Sequence, residues 1–130
     1  MVSFSDFGST DAESSVEARK AVEILHREHP HIVVDGEMQL QTALNYQRRD
    51  EEFPNNRLKG EPANVLIFPR LSAANACYQL LKHLEIAEDV IGPIQIGLAK
   101  PIYFADHDAD VKDIVNITAM ASLDSNSCFV

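Results

Sequence analysis

Residues 64–81 read NVLIFPRLSAANACYQLL and join a continuous apolar run to a segment with helical spacing. The run at residues 64–68 stops at Pro69, and such runs are typical of strands that are buried on both faces of a parallel sheet. After it, apolar side chains recur every three or four residues, at Ala73, Ala76, Cys77, Leu80, Leu81 and Leu84. This spacing predicts one buried face of a helix, which Ser72 caps and in which Cys77 is a small core residue.

The rest of the chain repeats this alternation of short extended segments and helices. Extended segments are predicted at residues 2–5, 31–35, 92–97 and 101–104. Helices are predicted from a capping box at Thr10-Asp11-Ala12-Glu13 to Pro30, over residues 38–46, and from the cap Asp110 through Met120, with a loop at residues 47–62. Short connections between these elements predict an α/β fold, with a mostly parallel sheet covered by helices on both faces.

Composition limits the classes of function. The chain has 130 residues, enough for one domain, and 20 acidic against 11 basic side chains give it a net charge of −9. A surface this acidic repels phosphate backbones and anionic lipids, so we expect neither nucleic acid nor a membrane as a partner. Two cysteines and an N-terminal segment unlike a secretory signal favour the cytoplasm. An extended segment that starts at residue 2 suggests a piece of a longer protein.

Two polar clusters raise the question of a metal. Residues 106–113 carry alternate carboxylates, as at the start of a calcium loop, but Val111 and Ile117 stand where that loop needs glycine and glutamate. An acidic loop that leads into a helix capped by Asp110 is therefore favoured. A zinc site is left open by three histidines near the end of the first predicted helix: His26, His29 and His31. Histidines in a last helical turn more often complement the helix dipole.

The start of the helix after Pro69 is a candidate anion site. The first N–H groups of a helix have no partner within it and point toward solvent, where they can bind an anion. The side chains of residues 72–75 are small, so a ligand could approach the backbone closely, and Arg70 could supply a positive charge. The alternative is a helix start whose small side chains form a packing face.

Several segments resemble the phosphate acetyl/butyryltransferase family. The stretch at residues 64–81 is similar to the NVLIFPDLNAGN-type segment of that family. Four further stretches agree in order: SFSDFGS at 3–9, VVDGEMQ at 33–39, IGPIQIGLAKPI at 91–102 and DIVN at 113–116. The resemblance covers essentially the whole chain. It implies the second half of a two-lobe fold like that of isocitrate and isopropylmalate dehydrogenases, with about residues 1–100 in the second lobe and about 101–130 returning to the first.

The chain departs from this family at the positions that matter for catalysis. Active members carry Ser-Arg-Gly-Cys shortly before the aspartate of the DIVN-like segment, and here those positions are Asp106, His107, Asp108 and Ala109. Only the aspartate, Asp113, is retained. Carboxylates facing acetyl phosphate would repel it, and a histidine is not a bidentate fork for phosphate. The resemblance therefore implies no working catalytic residues here. It leaves as ligand-binding candidates Arg70, Ser72, Ala73, Ala74, Asn75 and Asp113.

The loop EEFPNNRLKGEPANV at residues 51–65 is more similar to that of hybrid malic enzymes, in which a transferase-like domain follows the malate dehydrogenase part. That likeness implies a regulatory and oligomerisation module of an NADP-dependent malic enzyme, with acetyl-CoA as effector and a homo-oligomeric parent. The parent would use NADP and Mg²⁺ or Mn²⁺, while this segment would hold no cofactor and no metal. Two alternatives stay open: an active phosphate acetyltransferase that uses Asp113, and a purely structural oligomerisation piece.

Overall fold

The computed structural model describes residues 1–84, 90–107 and 109–127, and it describes residues 126 and 127 in backbone only. The chain divides into two compact units, Met1–Tyr78 and Gln79–Val130. Its helices are α1 (Glu13–Glu28), α2 (Leu40–Leu44), α3 (Tyr46–Glu52), α4 (Leu71–His83) and α5 (Val111–Ser127). Helices and extended segments alternate along the chain, as in an α/β protein. The expected division near residue 101 between two lobes stays a prediction.

Helix α1 confirms the first predicted helix, but its start differs from the predicted capping box. The apolar side chains of Ala18 and Val22 are buried, as their spacing predicts. Ala12 precedes the helix in an extended conformation, and its backbone N–H donates a hydrogen bond to the hydroxyl of Ser15 at 3.1 Å. Because the helix begins at Glu13, that side chain lies at the first helical position and cannot reach back as a capping box requires.

The predicted strands do not form a regular sheet in the part of the chain that the structure describes, and the segment predicted at 31–35 begins in a turn. A parallel bridge joins Val2 to Met38, and an antiparallel bridge joins Ile94 to Tyr103. The Val2 N–H also donates to the carbonyl of Ile67 at 2.8 Å, which brings the segment at 64–68 beside the N-terminal one. These bonds are isolated, whereas a strand needs consecutive pairing along a neighbour. The mostly parallel sheet and the two-lobe architecture are therefore not confirmed.

The segment predicted as a loop at residues 47–62 begins with helix α3. The predicted helix at 38–46 ends early, because Asn45 interrupts it and its Oδ1 accepts a hydrogen bond from the backbone N–H of Arg48 at 3.1 Å. An ion pair between Arg48 and Glu52, one helical turn apart, adds support at 2.7 Å. A run of polar residues thus forms a second short helix that hydrophobic spacing does not reveal.

Arg49 of α3 is fully buried and organises the chain around it. Its guanidinium donates to Asn56 Oδ1 at 3.2 Å and to three backbone carbonyls, those of Ala43, Leu58 and Glu61. A buried guanidinium needs such partners, since an unpaired one would carry a large desolvation penalty. The loop that follows α3 therefore folds around this side chain.

Helices α4 and α5 confirm the last two predicted helices, with one cap right and one wrong. Helix α4 begins at Leu71, so Ser72 lies inside its first turn rather than capping it. No residue of α4 is buried, and Cys77 is only half-buried, so the expected core face is not formed. At the start of α5, Asp110 Oδ1 accepts a hydrogen bond from the Asp113 N–H at 2.8 Å, which confirms the predicted cap.

Candidate functional site

The first predicted site, at the start of α4, is open to solvent. The Arg70 carbonyl accepts hydrogen bonds from the N–H groups of Ala73 and Ala74, each at 3.2 Å, so these two amides are already engaged. The Arg70 side chain is exposed and lies 3.7 Å from a carboxylate oxygen of Glu17. Among residues 72–75 only Ala74 is half-buried, and the others are exposed. Small side chains and a guanidinium are thus placed together, although the nearby Glu17 offsets the positive charge.

The second unit gathers the other predicted positions around a small pocket. The pocket has a volume of about 150 Å³ and is lined by Gln79, Lys82, His83, Asp106 and His107. Lys82 Nζ also lies 3.3 Å from Asp113 Oδ2. Lys82 thus pairs with the retained aspartate of the family pattern and lines the same pocket as two of the replaced positions. Asp108, which also belongs to that pattern, lies outside the described residues.

The α4 side of this pocket was not predicted from the sequence. Gln79, Lys82 and His83 are three and four residues apart, so they share one face at the end of the helix. That spacing was available in the sequence, but the apolar residues between them drew the helix interpretation toward a buried core. The missed signal is a polar face at the helix end, next to the loop that carries the family positions.

The described lining of the pocket is charged and polar. Lys82 supplies a positive charge that Asp113 offsets, and Asp106 adds a carboxylate. The described lining contains no serine, threonine or cysteine, so it offers no hydroxyl or thiol nucleophile. It also contains no arginine, so it lacks the planar fork that holds a phosphoryl group by two hydrogen bonds. The described lining can pair with an anionic or polar fragment.

No metal centre emerges from the described part of the chain. There, no group of three or more histidine, cysteine, aspartate or glutamate side chains is placed to hold an ion. The ring of His26 instead makes a 2.8 Å hydrogen bond to the Val34 carbonyl, and the rings of His29 and His31 meet edge to face at 6.0 Å. The zinc alternative gains no support from this arrangement.

A buried ionic network in the first unit was not predicted. The side chain of Glu37 is wholly buried, and its carboxylate accepts hydrogen bonds from Ser5 Oγ at 2.9 Å, the Gly8 N–H at 2.8 Å and Arg19 Nε at 3.1 Å. Burial acts to raise the pKa of Glu37, but the hydrogen bonds from Arg19, Gly8 and Ser5 outweigh it and hold that pKa below its ordinary value. The network ties the loop at residues 5–8 to α1 and shields the carboxylate from ligands.

Comparison with known proteins assigns the family. A family model described as Phosphate acetyl/butaryl transferase matches residues 1–122. The chain belongs to this family. An NADP-dependent malic enzyme from Escherichia coli is 35% identical over 127 residues, which cover 98% of this chain and 17% of that enzyme. A phosphate acetyltransferase from Clostridium acetobutylicum is 38% identical over 120 residues, which cover 92% of this chain and 35% of that enzyme.

A solved structure of the family matches the fold. The EutD phosphotransacetylase from Staphylococcus aureus superimposes with a TM-score of 0.78 and 27% sequence identity, covering 99% of this chain and 39% of that one. The resemblance drawn from the sequence segments is thus confirmed, including the likeness to malic enzymes. The chain spans well under half the length of each of these relatives.

None of the described helices combines the length and the apolar character that crossing a membrane requires.

Proposed function

We propose that this chain is a non-catalytic regulatory and oligomerisation module of an NADP-dependent malic enzyme and that it binds acetyl-CoA. One observation carries the proposal: Asp106 and His107 line the pocket beside Lys82, where the family pattern has a serine and an arginine. A site that lacks the serine and the arginine of the family pattern can hold a ligand while being impaired in transferring its acyl group. The parent enzyme would act in the cytoplasm as a homo-oligomer, with NADP and Mg²⁺ or Mn²⁺ bound elsewhere in its chain.

Electrostatics support binding without turnover. Acetyl phosphate carries negative charge, and the carboxylate of Asp106 lies in the pocket wall, so the two repel each other. Lys82 supplies the positive charge that could attract the phosphates or the carbonyl oxygens of acetyl-CoA. The volume of about 150 Å³ fits only a fragment of that ligand. The rest of the effector would then extend beyond the pocket, toward Asp113.

The relatives include both malic enzymes and phosphate acetyltransferases. The malic enzyme from Haemophilus influenzae is 37% identical over 95% of this chain, close to the value for the phosphate acetyltransferases. Percent identity alone therefore does not separate the two classes, and the proposal rests on the replaced positions at 106 and 107. For the fold, we propose the second half of a two-lobe domain with a mostly parallel sheet, with about residues 1–100 in one lobe and about 101–130 in the other.

The deciding experiment is an acetyl-CoA titration of malate-dependent NADP⁺ reduction by the natural protein that carries this sequence. We expect acetyl-CoA to shift the rate, and a Lys82→Met variant to lose most of the shift while keeping the basal rate. Lys59→Met is the matched control, because Lys59 is exposed and lies outside this pocket. Its response to acetyl-CoA should equal that of the wild type.

Other outcomes would point to the alternatives. A rate that ignores acetyl-CoA would leave a structural oligomerisation piece. Formation of acetyl phosphate from acetyl-CoA and phosphate, lost in Asp113→Asn, would identify an active transferase. Absence of malate oxidation together with absence of acetyl phosphate formation would contradict both enzymatic interpretations.

A further inference from the structure

The backbone at Phe7 has a conformation that its side chain disfavours. Phe7 has a φ of 43°, in the left-handed region that favours glycine, and Gly8 follows with a φ of 88°. The Phe7 N–H donates to the Glu37 carbonyl at 2.8 Å, and the Gly8 N–H donates to the Glu37 carboxylate at 2.8 Å. Disfavoured conformations that the surroundings enforce are concentrated at functional sites. The buried network around Glu37 therefore fixes the backbone that carries the Phe7 ring.

This ring forms one wall of a cavity in the first unit. The Phe7 and Phe53 rings meet with centroids 4.7 Å apart and planes tilted by 40°. Beside them lies a cavity of about 320 Å³, whose wall also includes Glu52, Pro54 and Asn55. That volume is at the small end of the range for small-molecule sites. A ligand ring cannot enter between two rings so close together, so it would pack on their outer surface.

The polar groups of the wall differ in whether they are free to bind. The Asp35 carboxylate accepts hydrogen bonds from the backbone N–H groups of Gly36 and Arg57. The Asn56 side chain bonds to the side chains of Arg49 and Asp50. Both side chains therefore hold the loop after α3 and are not free to bind a ligand. The Asn55 side chain makes no hydrogen bond among the described residues. One oxygen of Glu52 accepts from Arg48 at 2.7 Å, which leaves its other oxygen for a ligand. The cavity therefore offers an amide and a carboxylate oxygen next to two aromatic rings.

We infer that this cavity binds the ring of an adenine-type base. No lysine, arginine or histidine lines it, so a phosphate is disfavoured inside it and a neutral ring is favoured. An asparagine amide can pair with the amino group and the neighbouring ring nitrogen of adenine at once, and aromatic side chains stack on bases. The free oxygen of Glu52 can accept from the amino group but would repel the carbonyl oxygen of guanine. The inference uses only first-unit residues and is independent of the acetyl-CoA proposal.

Binding of adenosine to the full chain, followed by ligand-observed NMR, tests the inference. We expect saturable binding of adenosine and weaker binding of guanosine. Asn55→Ala should weaken adenosine binding about 5- to 100-fold, the range expected for loss of a two-bond contact to a base. Phe4→Ala is the control, because Phe4 is exposed and lies outside the cavity, and its affinity for adenosine should match the wild type.

Phe7→Gly separates binding from folding. Glycine adopts a φ of 43° without strain, so the variant should keep the backbone conformation of the wild type. It should bind adenosine at least about fivefold more weakly, because the ring is absent. Equal affinity of the wild type, Asn55→Ala and Phe7→Gly, or no saturable binding up to about 10 mM adenosine, would overturn the inference. Competition identifies the natural source: displacement by acetyl-CoA indicates the nucleotide end of that effector, and displacement by AMP alone indicates a free nucleotide.

Discussion

At the scale of single residues, two buried charges hold the first unit together. The carboxylate of Glu37 and the guanidinium of Arg49 are both fully buried, and each makes at least three hydrogen bonds. A buried charge is tolerated only when its hydrogen-bonding capacity is met, and it then fixes the groups that meet it. The loop at 5–8 and the loop after α3 owe their conformations to these two side chains.

Replacement of Glu37 by glutamine should destabilise the first unit by about 2 kcal/mol, because it weakens three charge-assisted hydrogen bonds in a buried place. Urea denaturation of the chain at neutral pH measures the change in the free energy of unfolding. Glu23→Gln is the matched control on α1, where the side chain is exposed, and it should change stability by no more than about 0.5 kcal/mol. Equal losses in the two variants would show that the network contributes nothing.

The lowered pKa of Glu37 also predicts how this difference depends on pH. The folded-state pKa lies below the unfolded value of about 4.3, so the unfolded state binds more protons between the two values. The contribution of Glu37 is therefore fully present above about pH 4.3 and is lost as the pH falls through the folded-state value. The wild type and Glu37→Gln should converge in stability at acid pH, and a difference that grows on acidification would contradict this.

These residues also mark what the sequence could not predict. Glu37 stood within the family-like segment at 33–39, and Arg49 within a segment predicted as a loop, yet neither pattern showed that the side chains were buried. Glutamate and arginine are mostly exposed in proteins, so burial becomes visible only when distant partners such as Ser5 and Asn56 are in place. Asp110 was predictable because its partner, the Asp113 N–H, is three residues away.

At the scale of elements, local signals decided which predictions were confirmed. The apolar spacing and termination signals of α1, α4 and α5 lie within each helix, so their existence could be predicted. Strands depend on hydrogen bonds to other segments, and those at 2–5, 31–35 and 64–68 make only isolated bonds among the described residues. Helix α3 was missed because its stability comes from the Asn45 cap, an ion pair and the buried Arg49 rather than from an apolar face.

The cap of α5 makes a testable contribution at this scale. Asp110→Ala removes the side-chain oxygen that accepts the Asp113 N–H, so we expect a loss of about 1 kcal/mol in the stability of the second unit. Asp110→Asn keeps an oxygen in place and removes only the charge near the positive end of the helix, so its loss should be smaller. Chemical denaturation followed by helical circular dichroism measures both. Equal losses would assign the effect to charge, and no loss would place the helix start elsewhere.

At the scale of the whole molecule, the apolar residues of the described chain are more exposed than buried. Its buried apolar residues are few and mostly small: Val2, Ala18, Val22, Met38 and Ala43. Large apolar side chains remain open to solvent, with Leu71 85%, Ile96 81% and Val111 79% exposed. Helix α4, which the sequence pattern placed in a core, has no buried residue. The apolar spacing thus predicted which face of each helix is apolar, but not how much of that face is buried within this chain.

The first unit also contains an apolar cavity of about 340 Å³, lined in part by Val65 and Ile67. These side chains are 68% and 48% exposed, respectively, so the cavity is accessible to small apolar probes. Exposed apolar surface of this kind attracts apolar partners. We therefore expect the folded 130-residue chain to bind the dye 8-anilinonaphthalene-1-sulfonate in native buffer and to enhance its fluorescence.

Replacing both Val65 and Ile67 with threonine should lower that fluorescence at least about twofold, because each change puts a hydroxyl group in place of apolar surface in the cavity wall. Both positions are exposed, so the fold should tolerate the substitutions. Val111→Thr is the control, because this residue is exposed but belongs to the second unit and not to the cavity, and it should leave most of the signal. Circular dichroism of each variant shows that the helices are retained. Dye binding that is equal in all three proteins would place the accessible apolar surface away from residues 65 and 67, and no dye binding by the wild type would show that the cavity is closed in solution.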